Sequence, residues 1–246
     1  MQSDSLYTTM AGLQNVNEQM QAIASNLSNA NTPGYAAVQS ATEAANYEGS
    51  DAPIGADVVA VTPGPDLTQG PLTHTNDLLN VGLGGDAWLT VQTANGTALT
   101  RDGDLSLSSA GILTDSSGNP ILNTTGQPIS LPSLSQIEIG SDGTISGVLA
   151  SQPNGQSQNF AQIGLVSTPP GQLTPLSGSL YSPAQGVALA PTTDGSIHQG
   201  YLNGSNVDPT QSMMEMISES RSYQLQTDLM KSQSSSDQDL NALLAG

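Results

Sequence analysis

The organisation of this chain is decided at residues 25–35, which read Ser-Asn-Leu-Ser-Asn-Ala-Asn-Thr-Pro-Gly-Tyr. Pro33 disfavours a helical conformation in the residue before it, and Gly34 permits a sharp change of direction. Upstream, apolar side chains recur about every 3.5 residues, at Leu6, Met10, Leu13, Val16, Met20, Ile23 and Leu27. The pattern predicts an N-terminal helix with a narrow apolar seam that needs a partner helix, followed by a forced turn.

A second helix is predicted at the other end of the chain. Asp208 is a good N-cap, Pro209 suits the first helical position, and Gln211 can close a capping box. Met213, Met216, Tyr223 and Met230 then follow at heptad spacing, and Ile217, Leu225 and Leu229 widen the apolar stripe. Because both ends carry a seam, we expect the two terminal helices to pair as a coiled coil.

Between the predicted helices, short apolar runs alternate with turn signals such as Asn95-Gly96 and Asp142-Gly143. Strands are expected at residues 78–83, 87–93, 98–101, 105–108, 112–114, 137–139, 144–148, 160–166 and 187–190. The pattern predicts an α+β fold in which an antiparallel all-β domain of sandwich or barrel type lies between the terminal helices.

The chain is therefore divided into five segments. These are the N-terminal helix and turn at 1–35, a connector at 36–72, the β domain at 73–190, a return connector at 191–207 and the C-terminal helix at 208–246. The first connector is interpreted either as an extended segment that packs on a neighbour, with at most a strand or two, or as a plain flexible linker. Its Pro63-Gly64-Pro65 triplet predicts irregular structure there.

Composition excludes several classes of partner. The formal net charge is −18, with Arg101, Arg221 and Lys231 against twenty-one acidic residues, so no basic cluster is present to bind nucleic acid or an anionic membrane. The chain has no cysteine, which excludes disulfides and cysteine zinc sites. No apolar run approaches the roughly 20 residues of a membrane helix, and no cleavable secretory signal is visible.

Residues that could support catalysis are few. His74 and His198 are the candidate general bases, and we interpret both as exposed loop residues. Asp102 and Asp104 could form a carboxylate pair, but Asp102-Gly103 is interpreted as a hairpin turn with Arg101 as a local counter-charge. We therefore expect no catalytic residue, no cofactor site and no metal site.

Both ends of the chain resemble the signatures of the flagellar rod and hook protein family. The N-terminal signature is Asn26-Leu27-x-Asn29-x-Asn31-Thr32-x-Gly34-Tyr35, and the C-terminal one is Gly204-Ser205-Asn206-Val207-Asp208 followed by Met213-Met214-x-Met216-Ile217, Arg221 and Tyr223-Gln224. Asp77-Leu78-x-x-Val81 and Thr100-Arg101-Asp102-Gly103 add a weaker likeness. One departure is Ala36-Ala37, where the family usually has a basic residue.

The resemblance implies a structural subunit of the flagellar basal-body rod, most like a proximal rod protein, with a distal rod protein as the alternative. An exported β-domain adhesin or enzyme is a rival that leaves both terminal seams unexplained. The implied partners are other copies of the chain, neighbouring rod proteins and the flagellar export apparatus. The implied location is the periplasmic rod, reached without a cleaved signal peptide.

The resemblance and the seams together predict an assembly interface. Its residues are Leu6, Met10, Leu13, Val16, Met20, Ile23, Asn26, Leu27, Asn29, Asn31, Thr32, Gly34, Tyr35, Ser205, Asn206, Val207, Met213, Met216, Ile217, Arg221, Tyr223, Leu225 and Met230.

Overall fold

The computed structural model describes residues 2–45, 57–168, 172–184, 186, 189–192 and 195–244. The chain divides into two compact units. The helical unit comprises Met1–Ser28, Val38–Pro63 and Asp208–Gly246, and the β unit comprises Asn29–Ala37 and Gly64–Val207.

The helical unit contains both long helices, α1 (Gln2–Ser28) and α2 (Pro209–Leu244), which pack against each other. The N-cap prediction is confirmed, because Asp208 Oδ1 accepts hydrogen bonds from the backbone N–H groups of Thr210 at 2.8 Å and Gln211 at 3.2 Å. The Gln211 side chain donates to Glu215, one turn further on. Among the described residues, no helix has the length and apolarity to cross a membrane.

The helical unit also contains a two-stranded sheet of β1 (Val38–Ala45) and β2 (Asp57–Pro65). Residues 46–56 of the predicted connector lie outside the described residues. The prediction of irregular structure at Pro63-Gly64-Pro65 is wrong, since these residues end β2. A two-stranded sheet leaves each strand one open edge, where a proline without an N–H group costs no ladder hydrogen bond.

Fifteen strands make up the β unit together with the end of β2. They are β3 (Leu72–His74), β4 (Val81–Gly84), β5 (Trp88–Thr93), β6 (Gly96–Thr100), β7 (Ser106–Leu107), β8 (Leu113–Thr114), β9 (Leu134–Ile139), β10 (Thr144–Leu149), β11 (Gln158–Gln162), β12 (Leu165–Ser167), β13 (Leu173–Pro175), β14 (Leu180–Pro183), β15 (Ala190–Pro191), β16 (Ser196–Gln199) and β17 (Tyr201–Asn203).

The strands of the β unit pair antiparallel throughout the described ladders. The largest sheet has the order β13-β14-β6-β5-β12-β15, a second has the order β11-β10-β9, and β16-β4, β17-β3 and β7-β8 form two-stranded pairs. These described strands do not close into a barrel. The α+β class and the antiparallel β region are thus confirmed, and the barrel form is not found.

Two hydrophobic clusters hold the β unit together. The larger one is aliphatic and contains Val81, Leu83, Ala87, Leu89, Val91, Ala98, Leu105, Leu113, Ile121, Ile129, Leu131, Ile139, Ile145, Ile163, Leu165 and Ile197. The smaller one contains the chain's single tryptophan, Trp88, together with Ala36, Leu99, Val166, Leu173 and Tyr181. Burial of apolar surface is the main favourable contribution to such a fold.

Several predicted strands differ from those observed. The single strand expected at 160–166 is two strands, because β11 pairs with β10 whereas β12 pairs with β5 in another sheet. The expected return connector at 191–207 contains β16 and β17, which pair with β4 and β3. Residues 187–188 of the strand expected at 187–190 lie outside the described residues.

Candidate assembly surface

The turn after α1 is fixed within the β unit at Gly34. Its φ of 67° lies in the left-handed region, and its N–H donates a 2.9 Å hydrogen bond to the carbonyl of Asn203. A Cβ atom at this position would overlap the backbone of Arg101 and Asp102. The predicted turn is therefore confirmed, and its glycine is also required for a close approach between two backbone segments.

Ala36, two residues after Gly34, is buried in the smaller cluster. The hydroxyl of Tyr181 accepts a hydrogen bond from the N–H of Ala36 at 3.0 Å and donates to the carbonyl of Ala36 at 3.2 Å. The Tyr181 ring stands edge-on to Trp88, with 5.3 Å between centroids. Burial raises the pKa of Tyr181 to about 12, because the site disfavours the charged phenolate.

Two asparagine side chains tie the returning segment to the rest of the β unit. Asn203 donates to the carbonyl of Leu83 at 3.0 Å and accepts from its N–H at 2.6 Å, as a neighbouring strand would. Asn206 accepts from the N–H of Ala37 at 2.7 Å and donates to the carbonyls of Asp66 and Thr68 at 2.9 and 3.0 Å. Both terminal signatures therefore meet within the β unit.

This arrangement changes the role of several predicted interface residues. Gly34, Tyr35 and Ser205 are buried, and Asn206 bonds to the chain's own backbone. In the helical unit, Asn26 pairs through its side chain with both backbone groups of Val38, at 2.8 and 2.9 Å. The side chains of Asn26 and Asn206 therefore help to hold the chain's own conformation.

The buried charged residues are partnered differently from our expectation. Arg101 donates to the carbonyls of Leu67 at 2.6 Å and Ala87 at 3.4 Å and lies 4.3 Å from the Trp88 ring centroid. Burial lowers its pKa. The prediction that Arg101 is the counter-charge of Asp102 is therefore wrong.

Asp102 is buried and is not half of a free carboxylate pair. It accepts hydrogen bonds from the Ser116 hydroxyl and from the N–H of Asp104, and burial raises its pKa. The interpretation of Asp102-Gly103 as a hairpin turn is also wrong, since β6 pairs with β5 and β14 and β7 pairs with β8. A Cβ at Gly103 would overlap the carbonyl of Val81, so this glycine serves close packing.

The two histidines are exposed, as expected, but they lie in strands β3 and β16, so the loop interpretation is wrong. His74 and His198 pack edge-on to Tyr201, with centroid distances of 5.0 and 6.4 Å. His198 Nε2 is 3.3 Å from the Ser196 hydroxyl. Within the described part of the chain, no three His, Cys, Asp or Glu side chains are grouped to hold a metal ion.

Helix α2 has a largely polar inner face toward α1. Gln226 lies against Gly12 of α1, about van der Waals distance from where a Cβ of that glycine would be. Between residues 209 and 232, the buried or half-buried positions of α2 are Ser212, Met216, Glu219, Ser222, Gln226, Thr227 and Met230. On α1, Val16 and Ile23 are buried. Over this part of α2 the pairing therefore buries little apolar surface.

The opposite face of α2 is exposed and carries four large apolar side chains. We call the outer stripe the four residues Met214, Ile217, Leu225 and Leu229, whose exposed fractions are 62, 56, 66 and 64%. At about 100° per residue these positions fall within an arc of about 120°, which also contains the exposed Ser218, Arg221 and Asp228. Contiguous exposed apolar residues of this kind mark interaction sites.

The predicted helical seams are only partly on the inner faces. Of the predicted interface, Met10, Asn31, Met213, Ile217, Arg221, Tyr223 and Leu225 are exposed, and Leu13, Met20, Asn26, Leu27, Asn29, Thr32, Asn206, Val207, Met216 and Met230 are half-buried. The side chain of Leu6 lies outside the described residues. Sequence reasoning missed Asn203 and Tyr181, and it left Met214 and Leu229 out of the interface although their spacing placed them on one face.

Comparison with known proteins agrees with both terminal signatures. Residues 6–35 match a family model described as flagella basal body rod protein, residues 82–147 match the flagellar hook protein FlgE/F/G D1 domain, and residues 198–243 match the flagellar basal body rod FlgEFG protein C-terminal model.

Individual relatives match over most of the chain. The flagellar basal-body rod protein FlgF of Salmonella typhimurium is 33% identical over 247 residues, which cover 98% of both chains. FlgF of Escherichia coli is 32% identical over 92% of both chains. FlgG of Bacillus subtilis is 29% identical over 89% of this chain and 91% of its own.

Replacing Gly34 with alanine tests the close approach to Arg101. We expect Gly34→Ala to lower the free energy of unfolding by about 3 kcal/mol or more, because the methyl group adds an overlap to the cost of a left-handed backbone. Gly118→Ala is the matched control, since Gly118 has a φ of 84° but open space around it, and about 1–2 kcal/mol is expected. Urea unfolding followed by Trp88 fluorescence measures both, and equal losses would contradict the close-approach argument.

Ionisation of Tyr181 should lower the stability of the folded protein at alkaline pH. The pKa of Tyr181 is raised in the folded chain to about 12. Its contribution to the free energy of unfolding is therefore complete below about pH 10 and falls as the pH rises toward about 12. Tyr181→Phe should remove that part of the alkaline loss and cost about 1–3 kcal/mol near pH 7 by leaving both backbone groups of Ala36 unpaired. Unfolding curves from pH 7 to 12 measure this, with the half-exposed Tyr201→Phe as control; an unchanged alkaline slope in Tyr181→Phe would refute it.

Proposed function

The chain belongs to the flagellar basal-body rod protein family, and from this premise we propose that the outer stripe of α2 binds neighbouring subunits of the rod. The chain is a structural protein of the flagellar basal body and not an enzyme. The assembly role of α2 is the part that we propose.

The similarity to relatives favours a FlgF-type subunit. FlgF proteins match at 29–33% identity and FlgG proteins at 28–30%, and the two matches above 30% are both FlgF proteins. A FlgG-type subunit is the second candidate, because those matches also cover most of the chain. We propose that the subunit occupies the proximal part of the rod, in the periplasm.

The observation that supports assembly through α2 is the contrast between its two faces. The inner face that meets α1 is largely polar, whereas the outer stripe leaves four large apolar side chains in water. Burying one such side chain contributes about 1.5–3 kcal/mol, so covering the stripe would be strongly favourable. A second helix with a complementary apolar face is the partner that fits such a stripe.

The positions of the basic residues indicate that the partner surface opposite Arg221 is acidic. Arg101 is buried, so the other two basic residues, Arg221 and Lys231, are the exposed cations, and both are on α2. Lys231 Nζ is 3.7 Å from Oδ1 of the exposed Asp228, whereas Arg221 lies near the centre of the arc that the outer stripe spans. An acidic surface, such as that of another copy with net charge −18, would complement Arg221.

The resulting model of assembly is helical and heterologous. The terminal helices of each copy contact those of other copies and of the neighbouring rod proteins as coiled-coil-like layers. The chain reaches this position through the flagellar export apparatus. Nucleic acid is not among the proposed partners, because polyanion binding requires clustered cations.

A charge within the outer stripe should block assembly. We expect Leu225→Glu to weaken self-association at least about tenfold, because the carboxylate would have to be buried where an apolar side chain was. Leu176→Glu makes the same substitution at an exposed leucine of the β unit, 50% accessible, and should have little effect. Glutamate is a good helix former, so α2 itself should persist.

Sedimentation velocity over a concentration series measures association of the purified variants. The same variants, returned to a strain that lacks the gene, are tested for swimming and for rods in isolated basal bodies by electron microscopy. Truncated rods with Leu225→Glu and normal rods with Leu176→Glu are expected. Normal rods with Leu225→Glu, or equal damage by both variants, would refute assembly through the outer stripe.

A further inference from the structure

We propose that Met213 and Met214 form an oxidation site through which peroxide controls whether a free subunit can assemble. The inference rests on the proposed function of the outer stripe. It adds a chemical modification, its class of oxidant and a consequence that assembly alone does not imply.

The exposure of these methionines sets them apart on α2. Met213 and Met214 are 51 and 62% exposed, whereas Met216 and Met230 are half-buried toward α1. The chain contains seven methionines and no cysteine, so thioether sulfur is the oxidisable sulfur that it offers to solvent. Met214 belongs to the outer stripe, and Met213 lies about 40° outside its arc.

The reaction with hydrogen peroxide is balanced without a further reactant. A lone pair of the thioether sulfur attacks one peroxide oxygen, the O–O bond breaks, and an S–O bond forms. The sulfur is oxidised by two electrons to the sulfoxide, and the other peroxide oxygen leaves as water after proton transfer. Methionine sulfoxide can be reduced back by sulfoxide reductases, so the change is reversible.

The sulfoxide affects association because of where it is placed. A polar S–O group on the outer stripe would lose its water on burial against an apolar partner surface, and no polar partner would replace that water. Assembly would in turn cover the sulfur atoms and slow their reaction. Peroxide would therefore act on free subunits and spare assembled ones.

The test uses the purified full chain and hydrogen peroxide. Mass spectrometry of peptides follows the gain of one oxygen at each methionine, and sedimentation velocity follows self-association. We expect about tenfold weaker association when Met213 and Met214 are oxidised. A double variant with Met213→Leu and Met214→Leu should associate to the same extent before and after peroxide, because leucine has no sulfur to oxidise. A double variant with Met213→Gln and Met214→Gln should associate weakly without peroxide.

Met10→Leu is the matched control, because Met10 is a 53% exposed methionine on α1. This variant should remain as sensitive to peroxide as the unmodified chain. Unchanged association of a chain whose Met213 and Met214 are shown to be oxidised would overturn the inference while leaving the assembly proposal intact. The inference would also be overturned if Met10→Leu removed the peroxide sensitivity of association and the double leucine variant retained it. Failure of the untreated chain and of the double leucine variant to associate would overturn both proposals.

Discussion

The close approach of Gly34 to the backbone of Arg101 and Asp102 is the constraint on which the β unit depends. No side chain fits between these segments, and the backbone of Gly34 is in a conformation that other residues adopt only at a cost. The approach is possible because Arg101 turns its guanidinium away, onto Trp88 and two carbonyl groups. Two carbonyl oxygens and an aromatic face solvate this buried cation, and Asp86 attracts it electrostatically.

Side chains complete the hydrogen bonding that this constraint leaves open. Asn203 pairs with both backbone groups of Leu83, and Tyr181 pairs with both of Ala36. Asn206 reaches three backbone groups from the segments 37 and 66–68. Buried backbone groups must find partners, and amide and hydroxyl side chains supply them where the irregular chain cannot form a ladder. Residues of the terminal signatures that carry the family resemblance therefore also form hydrogen bonds inside the β unit.

The helical unit has the opposite character. Over residues 209–232, Gln226 and the serines of the inner face give the pairing of α1 and α2 little apolar surface, and the four large apolar side chains of the outer stripe remain in water. In a monomer these exposed side chains add no stability to α2, because a helix in a protein is stabilised mainly when its apolar face is packed against a partner. The proposals for assembly and for oxidation follow from this one asymmetry, since the groups that would be covered in the rod are those that solvent and peroxide reach in the free chain.

The sequence by itself determined the two terminal helices, the N-cap at Asp208, the turn at Pro33-Gly34, the antiparallel β region and the family. These follow from local signals: periodicity, capping and turn chemistry act over a few residues, and the signatures are contiguous. Tertiary structure decided the rest. The strands at 196–203 and the roles of Asn203 and Tyr181 depend on residues more than a hundred positions apart. The hydrogen bonds of Arg101 join residues 14 and 34 positions apart, and the packing function of Gly103 depends on Val81. The sequence also could not predict which face of α2 contacts α1. Several overlapping sets of apolar residues on α2 have helical spacing, and only the packing against α1 shows which set is covered.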